Sequence, residues 1–450
     1  MNQPAQIRSM LQIARAVLIG FLMMTGPVSA QAIIRDAEIE EALRNVAAPI
    51  LRAAGLPASL RIMVVDDRSL NAFIVDSRTI FIHSGLIMRL DDPAALQAVI
   101  AHEAAHIANG HYTRRAANIG QANTVARLGL LLGLAAAVAS DNPGAGLGLA
   151  VGAASSAQRA LFAHTRAEEA SADSAGLRYM IAAGVDPGAM LDVLDLFRGQ
   201  EALSAARQDP YLRTHPLTRD RLRSIRALAA GAAASEPDPT TLYWYRRMAA
   251  KLNAFQNAPG WTLRRVDRND RSEFARLSRA IAYHRQADTG RALAEVDALV
   301  RMRPDDPYYQ ELRGQILFES RNYGAATQAY SRAVSLAPRN ALILAGYGRA
   351  LLAADTGAGN RQALEMLTRA RARDPFDPRM LRDLALAHAR LGQTGLAATA
   401  TAERYALIGR FEDAEDLAAR ALGLLPRGSP GWLRAQDVQD VAETALARQR

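Results

Sequence analysis

Cysteine is absent from the 450 residues. That removes disulfide staples, thiolate metal ligands and cysteine nucleophiles together. Lysine is nearly absent: Lys251 is the sole one among 54 basic residues, so the formal charge of +9 is carried by arginine. The arginines are dispersed among 45 acids rather than gathered into a basic stripe, which argues against nucleic-acid binding. Aromatic residues are scarce, at 6%. What remains is half apolar and 22% charged, the balance of a folded, Ala-rich, mostly helical chain rather than a disordered one. The length calls for two or three domains.

Arg8 and Arg15 precede a short apolar run, Ala16 to Met24, which Gly26 and Pro27 break. Val28-Ser29-Ala30 then offers small residues for cleavage before Gln31. A charged start, an apolar core and a small exit make a secretory signal peptide over 1–30. The run is short of the roughly 20 residues that a membrane-spanning helix needs.

The spacing of Ile39, Leu43, Val46 and Ile50 predicts a helix over 33–56. Three β-like runs follow at 60–65, 72–75 and 79–83, the last two joined by the turn residues Asp76-Ser77-Arg78. Asp91-Asp92-Pro93 opens the next helix, with an aspartate as cap and proline in the first turn. Two Gly-rich apolar stretches, 128–139 and 145–154, read as a helical hairpin near a cleft, too short to span a bilayer. A further helix covers 167–183 and ends at Gly184. The Pro/Asp-rich stretch 235–240 marks a domain boundary.

Beyond it the chain repeats. Pro304 and Pro338 are 34 residues apart, the period of tetratricopeptide repeats. In that register Gly314 matches Gly348, and Ala292 matches Ala326, small residues where helices cross. Pro375 follows at 37 rather than 34, which places a three-residue insertion in 356–360. Pro426 lies 51 further on, leaving room for one extra helix. Stacked repeats leave a concave face for a partner.

The chemistry centres on His102-Glu103-Ala104-Ala105-His106. Residues four apart share a helix face, so both imidazoles can reach one cation. Zinc accepts imidazole nitrogens and, in a catalytic site, keeps one position open. Glu103 beside that face is placed to act as general base toward water. With 8 histidines in the chain, roughly 0.007 such motifs arise by chance. A third ligand is still required. His111 is one residue out of the register in which a third histidine ligand would stand, and is read instead as a cation at a helix end. Glu169 and Asp173, four apart on the later helix, offer a carboxylate ligand and a partner that accepts a hydrogen bond from a ligand imidazole. Glu168 points about 100° away and is the weaker candidate. His215, before Pro216 in a loop, can reach the metal and close its open position, stabilise an oxyanion, or serve the loop alone. Arg221 either pairs with a carboxylate of the site or covers the surface. His83 and His164 read as structural, and Tyr179 as core.

These residues resemble a family. HEAAH at 102–106, RAEEASADSAG at 166–176, Thr214-His215-Pro216-Leu217-Thr218-Arg219-Asp220-Arg221 and Asn71-Ala72-Phe73 look like the gluzincin metallopeptidases that include the CAAX prenyl endopeptidases and HtpX. The signal peptide and C-terminal repeats add a resemblance to the BepA-like periplasmic branch. The resemblance implies an α+β, mostly helical chain: a zincin-type metalloprotease domain with a small β-sheet, then an all-α tetratricopeptide-repeat solenoid. The layout it implies is signal peptide 1–30, metallopeptidase 31–234, a helical linker or degenerate first repeat 235–270, repeats 271–428 and a tail 429–450. It also implies one Zn2+ per chain held by His102, His106 and Glu169, with Glu103 as base and Asp173 behind a ligand. The implied partners are unfolded or stalled outer-membrane proteins, the β-barrel assembly machinery through the repeats, and peripheral contact with a membrane. A chaperone or scaffold with a latent protease site is the rival reading.

Overall fold

The structure, a computed structural model, describes residues 33–74, 76–111, 166–200, 203, 207–232 and 235–449. The expected signal segment, the apolar stretches within 128–154 and His164 lie outside those residues. The fold is α+β and mostly helical, a small mixed sheet with helices followed by a helical repeat array.

The strands are β1 (Ile33–Ile34), β2 (Arg61–Val65), β3 (Ala72–Ile74) and β4 (Thr79–His83), ordered β1-β2-β4-β3 in the sheet. β2 and β4 run parallel, with Arg61 opposite Thr79 and Val65 opposite His83. β3 pairs antiparallel with β4 through the expected hairpin and forms one edge. Along β4, Ile80 and Ile82 enter the core, while Phe81 stacks on Phe73 at 5.3 Å on the other face. The helix expected from residue 33 begins later, as α1 (Ala37–Ala53), because Ile33 and Ile34 pair with Val65 and Val64. Asp36 makes the switch: its backbone is extended and its side chain accepts from the Glu38 and Ile39 amides at 3.0 Å. Ile39, Leu43, Val46 and Ile50 of α1 are buried, each such side chain worth roughly 1.5–3 kcal/mol.

After α2 (Ser84–Arg89), Asp92 caps α3 (Pro93–Ala108) by accepting from the Ala94 amide at 2.7 Å, with Pro93 in the first turn. Nearly all of α3 is buried, so it runs through the middle of the domain. Its one mid-helix amide, Gln97, donates to the Val46 carbonyl at 2.9 Å. Helix α4 (166–182) crosses α3 closely. A Cβ at Gly176 would stand 3.3 Å from the Ala101 main chain, and Ala105, Ala172 and Ala175 pack beside it. Helices α5 (Ala189–Asp195), α6 (Pro210–Thr214) and α7 (Arg219–Ala229) complete this part.

Helix α8 (Pro239–Gln256) starts at the expected boundary but belongs to both sides. Tyr245, Met248 and Leu252 join the core of α1 and α3, while Ala254 packs with Leu277 and Ile281 of the array. Arg247 and Lys251 are fully buried on α8. Arg247 binds Glu38 and Asp306, and Lys251 stands 2.8 Å from Asp36 and 3.0 Å from Glu38.

The array runs through α9 (Pro259–Arg265), α10 (Glu273–Arg285), α11 (Thr289–Met302), α12 (Pro307–Glu319), α13 (Tyr323–Leu336), α14 (Ala341–Ala354), α15 (Gly357–Arg371), α16 (Pro378–Arg390), α17 (Thr394–Leu407), α18 (Phe411–Leu424) and α19 (Pro430–Gln449). Gly314 and Gly348 are glycine for one reason: a Cβ would stand 2.7 Å from the Tyr330 ring at the first and 2.6 Å from Leu367 at the second. Tyr330 and Leu367 are thus equivalent although 37 apart. The three extra residues form an added first turn of α15, capped by Thr356 on the Gly359 amide. Residues 430–449, expected within a tail, are helical, and Val438 and Ala442 pack with Ala402, Ala414 and Ala418. No helix among the described residues is long and apolar enough to cross a membrane.

Candidate metal centre

Helix α3 carries His102, Glu103 and His106; α4 carries Glu169 and Asp173; His215 ends α6, and Arg221 is on α7. One ligand atom each from His102, His106, Glu169 and His215 lies within 4.8 Å of the others, and all four residues are buried. His102 Nε2 is 3.1 Å from His106 Nε2 and 3.3 Å from Glu169 Oε2. His106 Nε2 is 3.3 Å from Glu169 Oε1. His215 Nδ1 stands 3.0 Å from Glu169 Oε1 and 3.2 Å from His102 Nε2. Glu168 contributes no atom to this convergence.

Behind these donors, His102 Nδ1 faces Asp173 Oδ1 at 3.1 Å. Arg221 donates to both Asp173 oxygens at 2.7 and 2.8 Å, and its Nη1 lies 3.1 Å from Glu169 Oε2. Of the two roles open to Arg221, the structure selects pairing with the site. Glu103 is fully buried and neither of its oxygens accepts a hydrogen bond among the described residues. His215 Nε2 stands 3.4 Å from Glu103 Oε1.

Burial and charge divide the two α3 histidines. Burial works to lower His102, but the Asp173 and Glu169 carboxylates carry it up to about 10. Burial takes His106 down to about 3, and positive charge on His102 and His215 adds to that effect. Asp173, which burial alone would raise, is held down to about 2 by Arg221 and His102. Glu169 is likewise held well below the carboxylate range by His215, His102 and His106, against burial. Imidazole nitrogens converging with a carboxylate suit a zinc-like cation.

His111 departs from its expected role. It follows the end of α3 as expected but is buried, with Nδ1 3.0 Å from Nδ1 of His106. His83 is buried, bonded to Ser69 Oγ at 3.0 Å, and Tyr179 packs on Ala105, Ala172 and Ala175. Tyr211, which no sequence signal singled out, lies 4.8 Å from the His215 ring and stacks on Phe197 at 5.0 Å. A cavity of about 210 Å³ opens beside the site, lined by Phe73 and Ile74 of β3, Glu103, His106, His111, Thr214 and His215.

The sequence matches peptidase family M48 over residues 34–229, from β1 to the end of α7. The beta-barrel assembly-enhancing protease of Escherichia coli (strain K12) is 23% identical over 393 residues, covering 84% of this chain and 78% of its own. That of Yersinia pestis is 24% identical over 376 residues, covering 81% and 75%. A solved structure, MamA 41-end from Desulfovibrio magneticus RS-1, is 20% identical and covers 37% of this chain and 94% of its own. Its TM-score is 0.32. The converging donors lie wholly inside the span, residues 34–229, that matches this family, and the chain is a metallopeptidase.

Proposed function

We propose that the chain is a periplasmic zinc endopeptidase acting on misfolded or stalled outer-membrane β-barrel proteins, exported by the signal peptide at 1–30. The observation that carries the reading is the convergence of His102, His106 and Glu169 beside a buried Glu103 carboxylate that accepts no hydrogen bond. The names of the two relatives, both beta-barrel assembly-enhancing proteases, support the substrate class.

Zinc, when bound, polarises a peptide carbonyl and acidifies water. His102 Nε2, His106 Nε2 and Glu169 would hold it, with Asp173 fixing the His102 ring by accepting from Nδ1. Glu103 takes a proton from the attacking water and returns it to the leaving amine. Strand β3 is a sheet edge, and its Phe73 and Ile74 line the cavity shared with Glu103. An extended substrate adds alongside it by main-chain hydrogen bonds, which suits unfolded chains of varied sequence. The repeats hold the substrate or an assembly machine nearby and supply effective concentration. Contact with a membrane surface is peripheral, aided by the net charge of +9.

A second reading is favoured by His215. Its Nδ1 stands 3.2 Å from His102 Nε2 and 3.0 Å from Glu169 Oε1, so it would be a fourth protein ligand to a metal that a catalytic site holds with three. That placement supports a site closed at rest, with the chain acting as chaperone or scaffold until the loop moves.

The test is made on the purified mature chain and its Glu103→Gln and His215→Ala variants, each assayed for zinc and for cleavage of an unfolded outer-membrane protein. About one zinc in each, with cleavage lost only in E103Q, is the expected result. Cleavage that appears or rises sharply in H215A supports the closed site. Absence of zinc in all three after metal is restored overturns the zinc reading.

A further inference from the structure

The two histidines of α3 are each engaged from behind, by different chemistry. His106 meets the other donors through Nε2, 3.3 Å from Glu169 Oε1 and 3.1 Å from His102 Nε2. Its remaining nitrogen, Nδ1, stands 3.0 Å from Nδ1 of His111. Two ring nitrogens at that distance share one proton: one donates and the other accepts. An imidazole that binds a cation keeps its facing nitrogen bare. With a cation on Nε2, neutral His106 would carry its proton on Nδ1 and donate it to His111, whose own proton would then sit on Nε2.

We propose that His111 is the positioning residue of His106, accepting its Nδ1–H and so fixing both its tautomer and its ring orientation for the metal. The inference rests on the reading that His102, His106 and Glu169 hold zinc. It gives the two α3 ligands unlike partners: a carboxylate, Asp173, behind His102 and a neutral imidazole behind His106. His111 brings no charge of its own in this tautomer, so the charge of the pocket stays with Glu169, Asp173 and Arg221.

The backbone is shaped for this contact. Had α3 continued, five residues at 100° each would place His111 about 140° around the helix from His106. Instead α3 stops at Ala108, and Gly110 takes φ +66° with its amide on the Ile107 carbonyl at 3.0 Å. This left-handed turn, which glycine adopts without penalty, returns the chain beneath His106. The two rings stand 4.9 Å apart at 77°, and His111 is 2% exposed.

The test uses the full mature chain and zinc(II) in competition with a chromophoric chelator. His111→Phe keeps the ring bulk without an acceptor, and His111→Asn places an amide oxygen near the Nδ1 position. Loss of an outer hydrogen-bond partner weakens metal binding about 10–100-fold, so H111F is expected to fall by that factor while H111N stays within a few-fold of the parent. Equal affinity in H111F and the parent overturns the proposal. Equal loss in H111F and H111N also overturns it, since ring packing and not an acceptor would then matter. A parent that takes up no zinc brings down the metal reading as well, an outcome distinct from either. Should H111F not fold, long-range proton–nitrogen correlation spectra of the zinc-loaded parent decide the matter. His111 protonated on Nε2 is expected, and His111 protonated on Nδ1 overturns it.

Discussion

Arg221 is 5% exposed and spans two buried carboxylates, Asp173 through Nε and Nη2 and Glu169 through Nη1. Taking a guanidinium out of water is costly, but removing it would leave both acids uncompensated, which is worse. Arg221→Met is expected to lose about 3–5 kcal/mol in urea denaturation. Arg221→Lys should recover only part, because a point charge cannot grip both oxygens of Asp173 as the fork does. The double variant R221M/D173N should regain much of the loss, and an R221M as stable as the parent would show that the pair holds nothing. At this scale, legibility in the sequence followed locality. His102 and His106, and then Glu169 and Asp173, stood out because each pair sits at a four-residue spacing within one helix, and Glu103 because it adjoins His102. His111 could not, because its reach depends on one left-handed glycine that breaks helical phase. Tyr211 left no periodic signal, and Arg221 had two roles open until α4 and α7 were seen together.

Between elements, the crossing of α3 and α4 sets the distance from the two histidines to Glu169. Gly176 allows the approach, since a Cβ there would meet the Ala101 main chain at 3.3 Å and the Met190 methyl at 3.2 Å. Gly176→Val is expected to part the helices, costing about 1–3 kcal/mol of stability and weakening zinc binding with it. Gly348→Val is the counterpart, with its Cβ 2.6 Å from Leu367 in the array. It should lower the melting temperature while leaving zinc affinity alone. If G176V binds zinc like the parent, the crossing does not govern the site. The start of α3 was legible from its cap, Asp92-Pro93, whereas the cap of α1, Asp36, was hidden by the apolar residues before it. Strand order was not, because the hairpin of β3 and β4 says nothing of the parallel pairing of β4 with β2. Nor was β1, whose two residues leave a helical pattern only because Val64 and Val65 offer them a partner.

Across the whole molecule, the Pro/Asp-rich stretch at 235–240 reads as a boundary, yet α8 beyond it joins the core of α1 and α3 through Tyr245, Met248 and Leu252. Composition marks where a chain bends away, whereas packing alone tells which side owns a helix. The seam is held by buried charge: Lys251 on α8 faces Asp36 and Glu38 from α1, and Glu311 on α12 stands 3.9 Å from the same ammonium. Burial pushes the Glu311 carboxyl up to about 7; Lys251 opposes this, and Asp36 and Glu38 add to it. A carboxyl raised in the folded state favours the protonated form, so its cost is absent below its ordinary value of 4.5, grows as pH rises and is complete above about 7. The seam should therefore be tighter at pH 5 than at pH 8. Glu311→Gln removes the ionisation and is expected to gain on the order of 1–3 kcal/mol over the parent at pH 8, with the gain vanishing near pH 4.5. Urea midpoints across that range measure it, and a variant less stable than the parent at every pH would mean that attraction to Lys251 outweighs the burial of a third acid beside it.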